Sequence, residues 1–590
     1  MAIKQLTEEE VRSWSVEKKD RWWLDNVYRG NMPQLTLRSG LAGMAIGGIL
    51  SLTNLYVGMR TGWTLGVGIT SVIVAFTFFK IMQSVGAADE FTVLENNCMQ
   101  SIATAAGYMT SPLIASLAAY MMITGTVIPM GTTIAWVICI SLLGVLFAFP
   151  LKRRFINDEQ QPFPEGRAAG IVMDALHTSE AAEGLFKAKI LAFFGITSAL
   201  LEFLKQGELL QKIGVSFLQI PDAVEEWFFH VIGWTPKIAG TPLSELTVSL
   251  EPDHVMMAAG GLMGIRTGVS LLIGAIVHYC ILGPWMIQYG DIYGTVNIDG
   301  ELAFGFRRIT SWGLWGGVSM MTTASLFAFM SKPQMIIRAF GGLLGGSRKK
   351  EDDCLRDIEL PTRVFVIGIP LVGAVMVAMA YHFFHVGIWL GIVAIPMVFV
   401  FTIIAAHSTA LTSITPTGAL GKLTQLSYAA LSPGNITTNI VSASITGEVA
   451  GNASNLLMDI KPGYMLGGKP RHQAMGHVLG IIAGAVCSVP VFYFAFLKNN
   501  PAGLITDQYP MPAAQIWRAV AEILTRGLSE LPTSAIYAAA IGGSLGIILE
   551  VIKLVTKGKF PISAVGMGLA FVIPFTTCFA MFLGSFFFWV

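Results

Sequence analysis

Residues 111–150 contain no aspartate, glutamate, lysine or arginine, and neither do residues 473–497. Uncharged stretches of that length are best satisfied by lipid, because an α-helix needs about 20 apolar residues to cross the hydrocarbon core. Further apolar runs lie near residues 188–204, 255–289, 311–330, 363–406 and 533–587, and two more open the chain as "LRSGLAGMAIGGILSLTNLYVGM" and "LGVGITSVIVAFTFFKIM". Several are long enough for two crossings. The whole chain is 53% hydrophobic and 13% charged, with a mean hydropathy of +0.63, whereas a soluble domain carries about 25% charged residues. The expected fold is therefore an all-α polytopic membrane protein. Its 590 residues leave room for roughly 14 to 16 transmembrane helices.

A formal net charge of +1 excludes the basic field that nucleic acid requires. The six cysteines, Cys98, Cys139, Cys280, Cys354, Cys487 and Cys578, have no paired spacing and read as packing residues. No cofactor is expected. His382 and His385 lack a neighbouring cysteine or carboxylate, so no metal site is expected either. Residues 1–36 are too charged for a secretory signal and read as a cytoplasmic segment. Within it, Thr7 and Glu10 have capping-box spacing, and Trp14, Trp22 and Trp23 suit either a short helix resting on lipid headgroups or a solvated tail.

Basic clusters at Lys152, Arg153 and Arg154 and at Arg348, Lys349 and Lys350 mark cytoplasmic sides. The second belongs to the longest hydrophilic stretch in mid-chain. The expected division is thus a first transmembrane half at 37–345, a linker at 346–362 and a second half at 363–590. Two ordered matches suggest that the halves are related. "EGRAAGIVMDAL" resembles "GEVAGNASNLLMDI", pairing Asp174 with Asp459, and "MGIRTGVSLLIGAI" resembles "VIPFTTCFAMFLGS", pairing Thr267 with Thr577. Glycine ladders, Gly43 with Gly47 and Gly476 with Gly480 and Gly484, read as helix-packing seams within a protomer or, in a homodimer, between protomers.

Polar groups inside such runs are costly and mark functional candidates. Three stretches concentrate them. The first holds Glu95, Asn96, Asn97, Gln100 and Tyr108. The second, "PFPEGRAAGIVMD", combines Pro162 and Pro164 with Glu165, Arg167 and Asp174. It reads as a broken or re-entrant helix whose Glu165 is either a helix-start dipole partner or a carboxylate facing a cavity. In the third, Pro416 and Gly418 should unwind a helix, while Glu448, Asn452, Asn455 and Asp459 recur at spacings of four, three and four and form one polar face. The opposite face, Ala450, Ala453 and Leu457, is apolar, which favours a helix lining a path. Asn54, Tyr56, Thr415, Asn435, Asn439 and Tyr464 complete the substrate-contact candidates. Glu165, Glu95, Glu448, Asp459 and Asp174 are the candidate proton carriers.

No nucleophile elbow, paired-histidine zinc motif or phosphate loop appears, so any transport draws on a gradient. An intramembrane enzyme built on Glu165, Asp174 and Asp459 is the alternative of another class.

"ENNCMQSIATAAGYMTS", "PFPEGRAAG", "MDIKPGYMLGGKPRHQ" and the terminal "GMGLAFVIPFTTCFAMFLGS" resemble, in that order, hallmark segments of the oligopeptide transporter (OPT) family, which includes the yellow-stripe metal-chelate carriers and many prokaryotic members. The Asn-Pro-Gly signature of the peptide-transporting eukaryotic branch is absent, and Arg167 stands where a small residue or threonine is expected. The resemblance implies about 16 spans in two similar halves, with proton-driven symport of short peptides or, alternatively, metal chelates across the cytoplasmic (inner) membrane. Its partners would be that substrate, protons and lipid.

The basic amino-terminal segment predicts both termini on the cytoplasmic side and an even number of crossings. Reporters active only in the cytoplasm should score when fused at either end, and reporters active only outside it should not.

Overall fold

In a computed structural model, the structure describes residues 3–30, 32–86, 89–178, 181–205, 210–212, 214–220, 236–251, 253–296, 302–331, 333, 354–412, 414–527, 532–557 and 559–590. The Arg348–Lys350 cluster and residues 346–353 of the 346–362 linker lie outside them. Helices dominate, and the described strands are two short antiparallel hairpins. Among the described residues, eight helical segments are long and apolar enough to span a membrane, and Gly68–Ser84, His254–Met263 and Phe575–Trp589 are shorter apolar helices. The chain is a multi-pass membrane protein of the all-α class.

Two compact units interleave along the chain. One takes residues 1–56, 64–189 and 332–501; the other takes 57–63, 190–331 and 502–590. At the centre of the first runs the helix Ile436–Leu466, too polar in composition to count among the eight. It is wrapped by Ile388–Thr412, Thr417–Leu431, Met130–Lys152, Pro164–Thr178 and Val93–Tyr108. Because protein rather than lipid surrounds it, its polar side chains are shielded from hydrocarbon.

Close approach in this unit depends on glycine. A Cβ on Gly166 would strike the Met458 carbonyl, and one on Gly144 would fall 2.7 Å from the Asn452 Cβ. The 476–484 ladder packs as a seam: Gly480 meets the Ile102 carbonyl and Gly484 the Ala106 carbonyl. Gly47 faces Ala103 and Ala106 from another side, so Val93–Tyr108 is held between two ladders.

Both pairs of matched segments pack against each other. Pro164–Thr178 lies on Ile436–Leu466, and in the second unit Ile265–Ala275 lies on Phe575–Trp589, with Gly268 against Ser585. The second unit also contains a buried ion pair between Arg60 and Asp253. The other carboxylate oxygen of Asp253 caps His254–Met263 by accepting from the Val255 and Met256 amides, both at 3.0 Å.

The amino-terminal segment differs from both readings at Trp23. Thr7 and Glu10 do form a capping box, but Trp23 neither touches headgroups nor floats in solvent. It is buried, stacks on Tyr464 with ring centroids 5.2 Å apart, and donates its indole N–H to the Tyr464 carbonyl at 2.7 Å. Lys19 pairs with Asp158 at 2.9 Å, and Asn157 donates to Asp20 at 2.9 Å. The segment is thereby fastened to one end of the central helix.

Gly480→Val is expected to cost about 1–3 kcal/mol or more through overpacking. It should lower the thermal midpoint of the purified protein, whereas Gly195→Ala, where a Cβ meets nothing within 4 Å, should not.

Candidate functional site

Helix breaks in the first unit cluster beside the central helix. Residues 62–67 separate two helices, Met109 and Thr110 end Val93–Tyr108, and residues 159–163 precede Pro164. In the third break Gln160 and Phe163 adopt positive φ, 43° and 41°, conformations that non-glycine residues rarely take, and the Phe163 amide donates to the Ala410 carbonyl at 2.8 Å. Pro164 then opens a helix at its first position and Glu165 falls in its first turn, as its breakers require. A Cβ on Gly66 would sit 2.6 Å from Glu165 Oε1, so the bare backbone of the first break lies directly against that carboxylate.

Along the central helix, every residue from Thr438 to Leu466 is buried except Glu448 and Asn455. Seven positions apart, they lie two turns along one face, the face the four-three-four spacing defines. Asn452 and Asp459 share that stripe but are covered, while Ala450, Ala453 and Leu457 are fully buried on the other side. Ser111, at the second break, donates to Glu448 Oε1 at 3.0 Å, and Asn452 donates to the Glu448 carbonyl at 2.8 Å.

Deeper in the unit, Gln100 donates to Asp459 Oδ1 at 2.7 Å and also reaches Thr104 at 3.2 Å. Gln473 donates to the Asp459 carbonyl and to Asn97 Oδ1, both at 2.8 Å. Glu165 and Tyr108 both lie within electrostatic reach of Asp459. The arrangement thus brings together Asn97, Gln100 and Asp459, with Tyr108 and Glu165 in electrostatic reach. His477 joins them with Nδ1 3.6 Å from Asp459 Oδ2. Sequence reading passed over this histidine because it sits inside a glycine ladder; the signal was an ionisable residue in an otherwise uncharged run.

The remaining candidates stand elsewhere. Glu95 is clamped at a helix start, receiving Arg38 Nε at 2.8 Å and Nη2 at 2.6 Å, the Thr36 hydroxyl at 2.6 Å and the Thr92 amide at 3.1 Å. Asn96 reaches the Val72 carbonyl and lies 3.2 Å from the His177 ring nitrogen. Asn54 staples the first break, donating to the Leu65 and Gly107 carbonyls and accepting from the Leu65 amide. Asn435 caps the central helix, and Asn439 donates to the Gln425 carbonyl at 2.6 Å. Thr415 pairs with Thr409, and Gly418 lies inside the helix that Pro416 precedes. Tyr464 stacks with Trp23. Tyr56 and Asp174 are half-buried on their helices. Among the described residues no group of histidine, cysteine and carboxylate side chains is arranged to hold a metal.

The family model described as OPT oligopeptide transporter protein matches residues 34–590. A candidate oligopeptide transporter of Saccharomyces cerevisiae is 23% identical, over 89% of this chain and 85% of its own length. A candidate oligopeptide transporter of Haemophilus influenzae is 23% identical, over 91% of this chain and 86% of its own. The metal-nicotianamine transporter YSL2 of Arabidopsis thaliana is 24% identical, over 85% and 79%. These names point to transport rather than to an enzyme. With its polar helix enclosed by apolar ones and a family match covering nearly all of its length, the chain belongs to the OPT oligopeptide transporter family.

Proposed function

We propose that the chain is a proton-coupled symporter of short peptides or peptide-like compounds in the cytoplasmic membrane. The observation that carries this reading is the pair Glu448 and Asn455, partly exposed on one face of a helix that is otherwise buried from Thr438 onward. A polar strip of this kind, flanked by helix breaks, offers donors and acceptors for amides, ammonium groups and carboxylates. Glu165, half-buried at the start of a broken helix, is the group proposed to take up and release the coupling proton. Its helix amino terminus favours the carboxylate, and enclosure favours the neutral acid, so a change in access switches its charge.

A metal chelate is the second reading, supported by relatives named as metal-nicotianamine transporters. A chelate of an amino-carboxylate presents the same functional groups as a peptide. Competition between a labelled tripeptide and metal-loaded or metal-free chelator in proteoliposomes separates the two.

Cysteines introduced singly as Glu448→Cys and Asn455→Cys should react with hydrophilic thiol reagents, and Ala450→Cys and Leu457→Cys should stay protected; the reverse pattern removes the strip from the path. Glu165→Gln keeps the shape of the side chain and loses its titration. It should retain exchange of substrate across the membrane and lose proton-driven accumulation. Accumulation with unchanged pH dependence would reduce Glu165 to a helix-start residue.

A further inference from the structure

We infer that Asp459 and His477 form a buried pair that holds the coupling proton, with Glu165 as the more accessible group that loads it. This rests on the proton-coupled reading above.

The geometry is that of a half-finished network. Both side chains are buried, at 2% and 0% exposure, on helices that pack against each other, Ile436–Leu466 and Pro470–Val491. One oxygen of Asp459 is fixed by Gln100. The other, Oδ2, has no hydrogen-bond partner, and neither does either ring nitrogen of His477. Oδ2 and Nδ1 nevertheless face each other at 3.6 Å, just beyond hydrogen-bond length. Gln473, one turn before His477, ties the Asp459 backbone to Asn97, so the two helices are pinned at this level while the pair itself is left to tighten or part.

Electrostatics say what such a pair can carry. His477 from Pro470–Val491 faces Asp459, and Tyr108 from Val93–Tyr108 and Glu165 from Pro164–Thr178 lie within electrostatic reach of it. Lys461, on the same helix, sits instead beside Gly166 and Arg167. With one proton between them the two groups are neutral overall, whether as acid and imidazole or as carboxylate and imidazolium. Moving it breaks the Oδ2–H bond and forms Nδ1–H without changing the total charge. Removing it leaves an anion, which an interior of low dielectric penalises heavily. The proton therefore leaves only when water or another acceptor reaches the pair, and Glu165 is the neighbouring carboxylate that retains some access. Loading and unloading are tied to the access of water or another acceptor to the pair, which is the requirement of a coupled carrier.

The test uses the full chain in proteoliposomes with an enclosed pH dye and a labelled tripeptide. Wild type should show tripeptide-driven proton entry; tripeptide movement without it overturns the symport reading itself. Against that control, His477→Gln and Asp459→Asn should both retain tripeptide exchange and lose proton entry and accumulation. Variants that exchange and still carry protons with wild-type pH dependence overturn the pair alone. A second measurement needs no transport. In acid-minus-alkaline infrared difference spectra of the purified protein, a protonated-carboxyl band should vanish in Asp459→Asn and shift in His477→Gln. A band untouched by either substitution, in folded protein, overturns the assignment.

Discussion

Everything in the first unit follows from one constraint: a helix carrying Glu448, Asn452, Asn455, Asp459 and Lys461 has to exist where there is no water to solvate it. The solution is to surround it with protein. That demands backbones closer than ordinary side chains allow, and the glycines supply the room. Gly144 and Gly166 admit two of the wrapping helices to the central one, and the 476–484 ladder draws Pro470–Val491 against Val93–Tyr108. With the wrapping closed from Thr438 onward except at two positions of one face, the same packing that shelters the polar groups also determines which of them water can reach.

Much of this was legible in the residues. Uncharged runs announced the membrane, the glycine spacing announced the seams, and the prolines of "PFPEGRAAG" announced a break with Glu165 at the helix that follows. The polar periodicity of residues 448–459 placed the open positions on one face, although it did not tell open from covered, since Asn452 and Asp459 sit on that face behind Gly144 and Gln100.

What stayed hidden depended on contacts between distant segments. Composition alone does not reveal that residues 436–466 form a single buried helix, because hydropathy scores lipid exposure and this helix meets none. Nor did local sequence show that Glu95 is met by Arg38, that His477 faces Asp459, or that Trp23 stacks on Tyr464 across more than four hundred residues of chain. An aromatic-rich, charged segment reads as interfacial by its composition; only the tertiary partner turned that surface into a contact.

The interleaving of the two units has a consequence for the making of the protein. The central polar helix emerges late in synthesis, after Val93–Tyr108, Met130–Lys152, Pro164–Thr178, Ile388–Thr412 and Thr417–Leu431 have been translated. Five of the walls that shelter it thus precede it in the chain, so a segment poorly suited to lipid is made after the helices that enclose it. The order of the chain is itself an assembly instruction, and a permuted version that delivered this helix first would ask the bilayer to accept a segment built to avoid it.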